Sequence, residues 1–336
     1  MLEPPFWWRA PGLAARLLQP IALGYGAAAA WRLRHKGARA GIPIICIGNL
    51  TLGGAGKTPA ALTIARLLSE MGEQPFFLSR GYGGKLAGPI RVDLARYQAD
   101  EVGDEALLLA RRAPTIVARD RVAGAELARA EGASVIVMDD GLQNPSLAKD
   151  WTLAVVDGHR GIGNARVFPA GPLRAPLMAQ LERTSAVLIV GEPLPPDSKL
   201  AIVLQRGGRP ILHARLEPDG HAIAALRGSR LFAFAGIGDP EKFFRTLTQA
   251  GLDVAGAERF PDHHKYSAAD ARRLLERCER EQMTPVTTEK DFVRLPGGDG
   301  DCATLAARTR VLAVTLMFEG EETLRRLLAE KTAGRR

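Results

Sequence analysis

Cysteine is scarce in this 336-residue chain: Cys46, Cys278 and Cys302 lie far apart and none belongs to a CxxC pair. That spacing argues against a disulfide framework and a structural zinc site, and it fits a reducing compartment. Repeats and low-complexity tracts are also missing, so neither a solenoid nor a biased tail organises the chain. A clean bilayer-spanning run is lacking too. The nearest is GLAARLLQPIALGYGAAAAW, which Arg16, Gln19 and Pro20 interrupt, and it has no cleavage site with the flanks of a signal peptide. Acid is almost absent from the first 40 residues, where Arg9, Arg16, Arg32, Arg34, Lys36 and Arg39 face only Glu3. Most of the net charge of +8 therefore sits in this arm. Phe6, Trp7 and Trp8 precede the apolar run and Trp31 ends it. Residues 1–38 thus read as a basic, apolar helix lying in a membrane surface and drawn to anionic lipid. The competing reading is a helix packed on the protein's own core with a solvated basic end.

What is present begins with hydrophobic content of 46% against 24% charged residues, a globular balance, in a chain long enough for two domains. Within IPIICIGNLTLGGAGKTP, an Ile-rich run reads as a strand buried on both faces, and a glycine cluster leads from it into a helical pattern. Strand, phosphate loop and helix is the order of a P-loop. Thr51, Leu52, Gly53, Gly54, Ala55 and Gly56 would form the cradle, with Lys57 reaching the β/γ-phosphates and Thr58 serving Mg²⁺. Thr51 stands where the strict pattern has glycine, so this is a variant loop. Ile64, Leu67, Leu68 and Met71 then make one helix face, and Pro59 is tolerated in the first turn. The plain alternative is a glycine-rich turn that binds nothing.

Farther along, GEQPFFLSRGYGG reads as a buried strand running into a loop with Arg80, and VGDEALLLARR as a helix whose first turn holds Asp104 and Glu105. Such acids often only complement the helix dipole. TIVARDR is a short strand near Arg119. SVIVMDDG is a strand ending in Asp139 and Asp140, the position of a Walker B acid opposite a P-loop, although paired acids also form plain turns. Strands alternating with helices imply a parallel sheet covered on both faces. The expected architecture is α/β: a P-loop NTPase-like three-layer α/β/α core at residues 39–195, a linker folded as a β-hairpin at 196–226, and a smaller α/β domain at 227–330. IVLQ and ILHARL are the extended pieces of that linker, and TRVLAVTL is one strand of the second domain. FPDHHKY supplies Asp262, His263 and His264, a cluster that on its own reads as a turn with solvent-facing imidazoles.

Taken together, GNLTLGGAGKTP, SRGYGG, VGDEALLLA, DDGLQ, FPAGPLR, AGIGDPEKFF, FPDHH and TTEKD resemble, in order and spacing, the tetraacyldisaccharide 4′-kinase family, the lipid A kinases. The resemblance covers almost the whole chain. It implies transfer of the γ-phosphate of ATP, with Mg²⁺, to the 4′-hydroxyl of a tetraacylated glucosamine disaccharide 1-phosphate at the cytoplasmic face of the inner membrane. It implies an active site in a cleft between two α/β/α domains, and no nucleic acid or obligate protein partner. By motif, Lys57 and Thr58 match the phosphate and metal residues, Asp139 and Asp140 the metal acids, and Asp104 the base. His263, beside Asp262, matches the histidine that works with that base across the cleft. Arg80, Glu105, Arg119, Gln143 and Arg174 are the substrate-side candidates. Asn144 and Ala175 depart from the family's usual His and Glu and bear on substrate contacts.

Two other classes fit parts of the pattern. A P-loop ATPase or GTPase switch peripheral to the membrane would turn over nucleotide with water as nucleophile, and a membrane binding module would use nucleotide only for regulation. Nucleic-acid binding would also use the basic charge, but that charge lies beside a tryptophan-flanked apolar segment rather than among exposed aromatics on a sheet.

Overall fold

The computed structural model describes residues 3–295 and 300–332, so residues 1 and 2 of the expected N-terminal helix lie outside it. The strands are β1 (Ile44–Asn49), β2 (Pro75–Ser79), β3 (Ile90–Arg91), β4 (Thr115–Val117), β5 (Val135–Asp139), β6 (Trp151–Asp157), β7 (Ala186–Val190), β8 (Ile211–Pro218), β9 (Arg230–Ala235), β10 (Asp253–Arg259), β11 (Thr284–Thr288), β12 (Arg310–Leu312) and β13 (Val314–Phe318). Among the described residues, nine of them form one sheet in the order β13-β8-β7-β6-β1-β5-β2-β4-β3, and the other four form a second in the order β10-β9-β11-β12. The large sheet is parallel except at its edges, where β13 opposes β8 and β3 opposes β4. The small sheet is parallel throughout.

β1 shows why the large sheet needs two covered faces. Ile45 and Ile47 join the core formed with Ile64, Leu67 and Leu68 of the helix Lys57–Glu70, while Ile44 and Cys46 join Ala125 and Ala128 of the helix Arg121–Ala130 on the other side. Apolar residues in both phases of a strand are what double coverage selects. β2 to β5 build outward from one side of β1 and β6 to β8 from the other. The crevice at its C-terminal end is thus a switch point, where open α/β sheets bind ligands.

Three expectations change. The N-terminal segment is not one helix: a 3₁₀ turn at Pro5–Trp8 and a short helix Leu13–Leu17 precede the helix Gln19–Leu33, which Pro20 begins. No helix among the described residues is long and apolar enough to cross a membrane. The segment 196–226 is not a hairpin. Its IVLQ piece lies in the helix Lys199–Gly207, where the Ser198 side chain accepts from the Ala201 N–H and Leu200 and Leu204, four apart, are buried. Its second piece is β8, which enters the large sheet between β7 and β13. Finally, TRVLAVTL divides at Ala313: β12 completes the small sheet and β13 pairs with β8, Leu316 opposite Leu216. The helix Glu321–Thr332 follows and buries Leu324 and Leu328 in the core beneath Lys57–Glu70. The chain thereby returns to its first unit, and the edge that β8 would otherwise expose is paired.

This return should be visible in stability. Leu328→Ala is expected to cost about 2–5 kcal/mol in urea unfolding followed by a probe in the phosphate-loop unit. A loss below about 0.5 kcal/mol would mean that the closing helix is not part of that core.

Candidate active site

The phosphate loop is strung between β1 and the helix Lys57–Glu70. Thr51 bridges Leu173, and the Leu52 N–H donates to the Pro172 carbonyl at 2.8 Å. The Asn49 side-chain amide donates to the Gly53 carbonyl at 3.0 Å. Gly53 and Gly56 adopt φ of 93° and 88°, the left-handed region that favours glycine. A Cβ at Gly53 would also strike the Glu3 carboxylate at 1.9 Å. Glu3 is held there by Arg160 at 3.0 Å and the Trp8 ring N–H at 3.1 Å, so the N-terminal segment borders the loop. Gly56 caps the helix, which places Lys57, Thr58 and Pro59 in its first turn. Free N–H groups and the helix dipole there favour an anion.

Asp139 ends β5 and Asp140 follows it beside this loop, and their surroundings push them in opposite directions. Burial works against an ionised Asp140, but Lys57 at 3.7 Å and Arg174 at 2.9 Å hold it below the usual carboxylate range. Asp139 is pushed up to about 7 by burial, then by Glu105 and Asp140, and its Oδ1 is buried without a partner. A buried, unpartnered carboxylate oxygen suits a hard cation that takes oxygen ligands, and Thr58, in the first turn of the helix after the loop, is largely buried too.

The second cluster lies across the two sheets. Asp104 opens the helix Asp104–Ala110, and its Oδ1 accepts the Glu105 N–H at 2.9 Å. Its Oδ2 faces His263 Nδ1 at 3.0 Å, Arg294 Nε at 2.7 Å and Arg294 Nη2 at 2.5 Å. Burial opposes the charge on Asp104, but His263, Arg294 and Lys290 outweigh it and hold the carboxylate well below its ordinary range. His263 sits at a left-handed φ of 57°, its N–H directed at the Gly236 carbonyl and at Asp262 Oδ1, both at 3.0 Å. Asp262 Oδ2 is 4.0 Å from His263 Nε2, so Asp262 steadies the backbone of His263 more than its ring. A cleft of about 1220 Å³ opens onto the pair and is also lined by Tyr82, Tyr97, Lys265 and Phe292.

The remaining candidates divide. Glu105 pairs with Lys290 at 2.9 Å, a second link between the units. Arg174 ties Asp140 to the Thr51 carbonyl, and Gln143 donates to the Asn49 carbonyl and to Gln180 Oε1, so both brace the phosphate loop. Arg119 is exposed and donates to the carbonyls of Gly84 and Lys85, and Arg80 is exposed just after β2. Asn144 closes its own turn through Ser146, and Ala175 is fully buried. Sequence reasoning missed Arg294, Lys290 and Asp291. The available signal was TTEKDFVRL itself, a strand end followed at once by charged residues, as at Asp139 and Asp140 but of both signs.

A family model described as Tetraacyldisaccharide-1-P 4'-kinase matches residues 14–333. The tetraacyldisaccharide 4'-kinase of Rhodopseudomonas palustris (strain HaA2) is 52% identical over 331 residues, covering 98% of this chain and 97% of that one. The protein of the same name from Methylobacterium sp. (strain 4-46) is 54% identical over 336 residues, covering 100% and 99%. Among solved structures, LpxK from Aquifex aeolicus in complex with ATP superposes with a TM-score of 0.75 at 26% identity, covering 95% of this chain and 100% of that one.

The raised Asp139 carboxyl makes a pH-dependent forecast. Between about pH 4 and about pH 7 the native state holds a proton that the unfolded chain has released, so the stability that proton supplies is fully present at low pH and lost as pH rises through about 7. Metal-free Asp139→Asn should therefore melt above the wild type at about pH 8, with the gap closing towards about pH 4. Equal melting temperatures across this range would show that the ionised carboxylate is accommodated without cost.

Proposed function

The chain belongs to the tetraacyldisaccharide-1-P 4′-kinase family, and from that premise we propose how its own residues perform the transfer. It is an ATP-dependent kinase of lipid A biosynthesis, moving the γ-phosphate of ATP to the 4′-hydroxyl of a tetraacylated disaccharide 1-phosphate. Such transfer asks for positioning and charge neutralisation more than covalent chemistry. Residues 51–58 cradle the phosphates and Lys57 offsets their charge. Mg²⁺, when bound, neutralises charge on the phosphate oxygens; Thr58, Asp139 and Asp140 would hold it, and the unpartnered Asp139 oxygen supports that fit. Asp104 and His263 serve the attacking hydroxyl: its oxygen bonds to the γ-phosphorus, the bond to the ADP oxygen breaks, and its proton passes to the pair. Arg80 and Arg119, both exposed, are the candidates for the anionic headgroup, while Glu105 links the two units and Gln143 and Arg174 brace the phosphate loop.

The observation that carries this reading is the 3.0 Å contact between His263 Nδ1 and Asp104 Oδ2, side chains from segments that belong to different sheets. Groups that act as one unit give non-additive losses. Asp104→Ala and His263→Ala are each expected to lower kcat by about 10²–10⁴, with the double variant far less impaired than the product of the two losses and nucleotide binding retained. Losses that multiply in the full cycle would separate the two residues.

The membrane surface is the second element of the proposal. In the helix Gln19–Leu33, Ala22, Gly26 and Leu33 face the body, and a Cβ at Gly26 would sit 3.5 Å from Pro176. Leu13, Leu17, Ile21, Leu23 and Trp31 are left exposed, each more than 60% accessible, among the basic residues of the arm. That combination suits insertion into an anionic leaflet at the cytoplasmic face of the inner membrane, where ATP and lipid meet. Leu17→Glu with Ile21→Glu should release the protein from phosphatidylglycerol-containing vesicles in a flotation assay, and salt should weaken wild-type binding. Unchanged flotation of the double variant would put the membrane contact elsewhere.

A further inference from the structure

We propose that the gap between the helix Gln19–Leu33 and the body of the protein is a binding site for an anionic phospholipid of the bilayer, which buries one acyl chain in the gap and sets its phosphate against Arg166 and Lys199. The proposal rests on the reading that this helix meets an anionic leaflet, and it adds one specific, countable lipid to that general attraction.

Shape is the first argument. A cavity of about 700 Å³ separates the helix from the segment between β6 and β7 and from the helix Lys199–Gly207, a volume within the range of about 300–1,000 Å³ that small-molecule sites occupy. Along its middle the N-terminal helix offers Ala22, Gly26 and Ala27, side chains too small to occupy the space they line. The floor opposite is apolar and closed, because Leu173 and Leu177 line it and are 1% and 7% exposed. The mouth is apolar and open, because Leu23 and Met178 line the same cavity and are 63% and 54% exposed. Leu23 is one of the exposed apolar residues proposed to enter the leaflet, so the slot opens where acyl chains are found. Such a surface stays in contact with water until a hydrocarbon chain covers it, and covering it is favourable in proportion to the area buried.

Charge is the second argument. No aspartate or glutamate lines the cavity among the described residues, whereas Arg166 and Lys199 both do. Arg166 is held towards the helix by a hydrogen bond from its Nη1 to Gln19 Oε1. Lys199 stands exposed in the first turn of its own helix. Two cations without an acid favour a lipid phosphate that carries net negative charge over a zwitterionic headgroup.

Topology separates this slot from the substrate headgroup. Its walls come from segments that follow β6 and β7, on one side of β1 in the large sheet, whereas Arg80 and Arg119 follow β2 and β4 on the other side. The occupant is therefore a lipid of the surrounding membrane rather than a chain of the disaccharide whose hydroxyl reacts.

For the test, the full chain is equilibrated with mixed micelles of phosphatidylglycerol and phosphatidylcholine of matched acyl chains, and the lipid retained per protein is counted by native mass spectrometry. The wild type should retain one phosphatidylglycerol, preferred over phosphatidylcholine by about tenfold or more. Val203→Trp, which fills the slot from the helix Lys199–Gly207, should abolish retention of either lipid. Lys199→Glu should remove most of the preference, and an acid in the first turn of a helix is compatible with folding. Both variants should float with vesicles much as the wild type does, which distinguishes the slot from insertion of Leu17 and Ile21. Melting curves identify a Val203→Trp protein that is merely unfolded, in which case Lys199→Glu decides alone. An empty wild type, retention without headgroup preference, or retention unaltered in a folded variant would overturn the proposal. One-for-one displacement of phosphatidylglycerol by the disaccharide lipid would overturn it too, by giving the slot to the substrate. Unchanged flotation of Leu17→Glu with Ile21→Glu would instead sink the membrane reading beneath it.

Discussion

The ion pair between Asp104 and Arg294 joins one unit to the other through two nearly inaccessible side chains. Burying opposite charges is tolerable only when geometry and further hydrogen bonds replace the lost water, and removing one partner typically costs about 3–5 kcal/mol. The replacement here is a chain of groups. Arg294 reaches Gly236 and Asp291, and Asp291 accepts from Tyr266 and Thr288. Burial and then the neighbouring Asp291 push the Tyr266 phenol far up, so it remains a donor. The same Gly236 carbonyl that accepts from Arg294 also accepts from the His263 backbone, which helps to hold that residue in its left-handed conformation. One network thus sets the distance between the sheets and the orientation of the imidazole.

The loop after β1 follows a different rule, because one of the two acids beside it keeps an oxygen that no neighbour satisfies. Lys57 and Arg174 share Asp140, while Asp139 is left with an unpartnered oxygen and a carboxyl raised by burial. Fixed dipoles and charges that need no reorganisation are the larger part of what a kinase contributes. The cost is local: a buried carboxylate with an unpartnered oxygen is less stable than a neutral group of the same shape would be.

On the N-terminal face, packing decides what is presented outward. Ala22 and Gly26 let the helix lie close against Pro176 and Val167, and that close approach turns its larger apolar side chains away from the body. A globular protein rarely leaves several leucines, an isoleucine and a tryptophan exposed side by side without a partner surface. The loop after β1 is bordered by Glu3 of the same N-terminal segment.

Local chemistry made much of this protein legible from its sequence. The Ile-rich strand, the glycines and Lys57-Thr58 must form a strand, loop and helix, because glycine conformation and helix-end electrostatics act over a few residues. The same holds for the acids ending β5 and for the buried helix faces. What the sequence alone did not decide is how distant segments divide between sheets. TRVLAVTL has one continuous β pattern, yet it splits at Ala313 because the free edge of β8 lies beside the first unit, and periodicity carries no information about which edge a strand will meet. IVLQ is short enough that its apolar residues fit either period until Leu200 and Leu204 find a core. Nor did the sequence single out Arg294. Its importance comes from standing within hydrogen-bond reach of an aspartate 190 positions away, and the strength of a charge pair depends on burial and distance, which only the tertiary structure supplies.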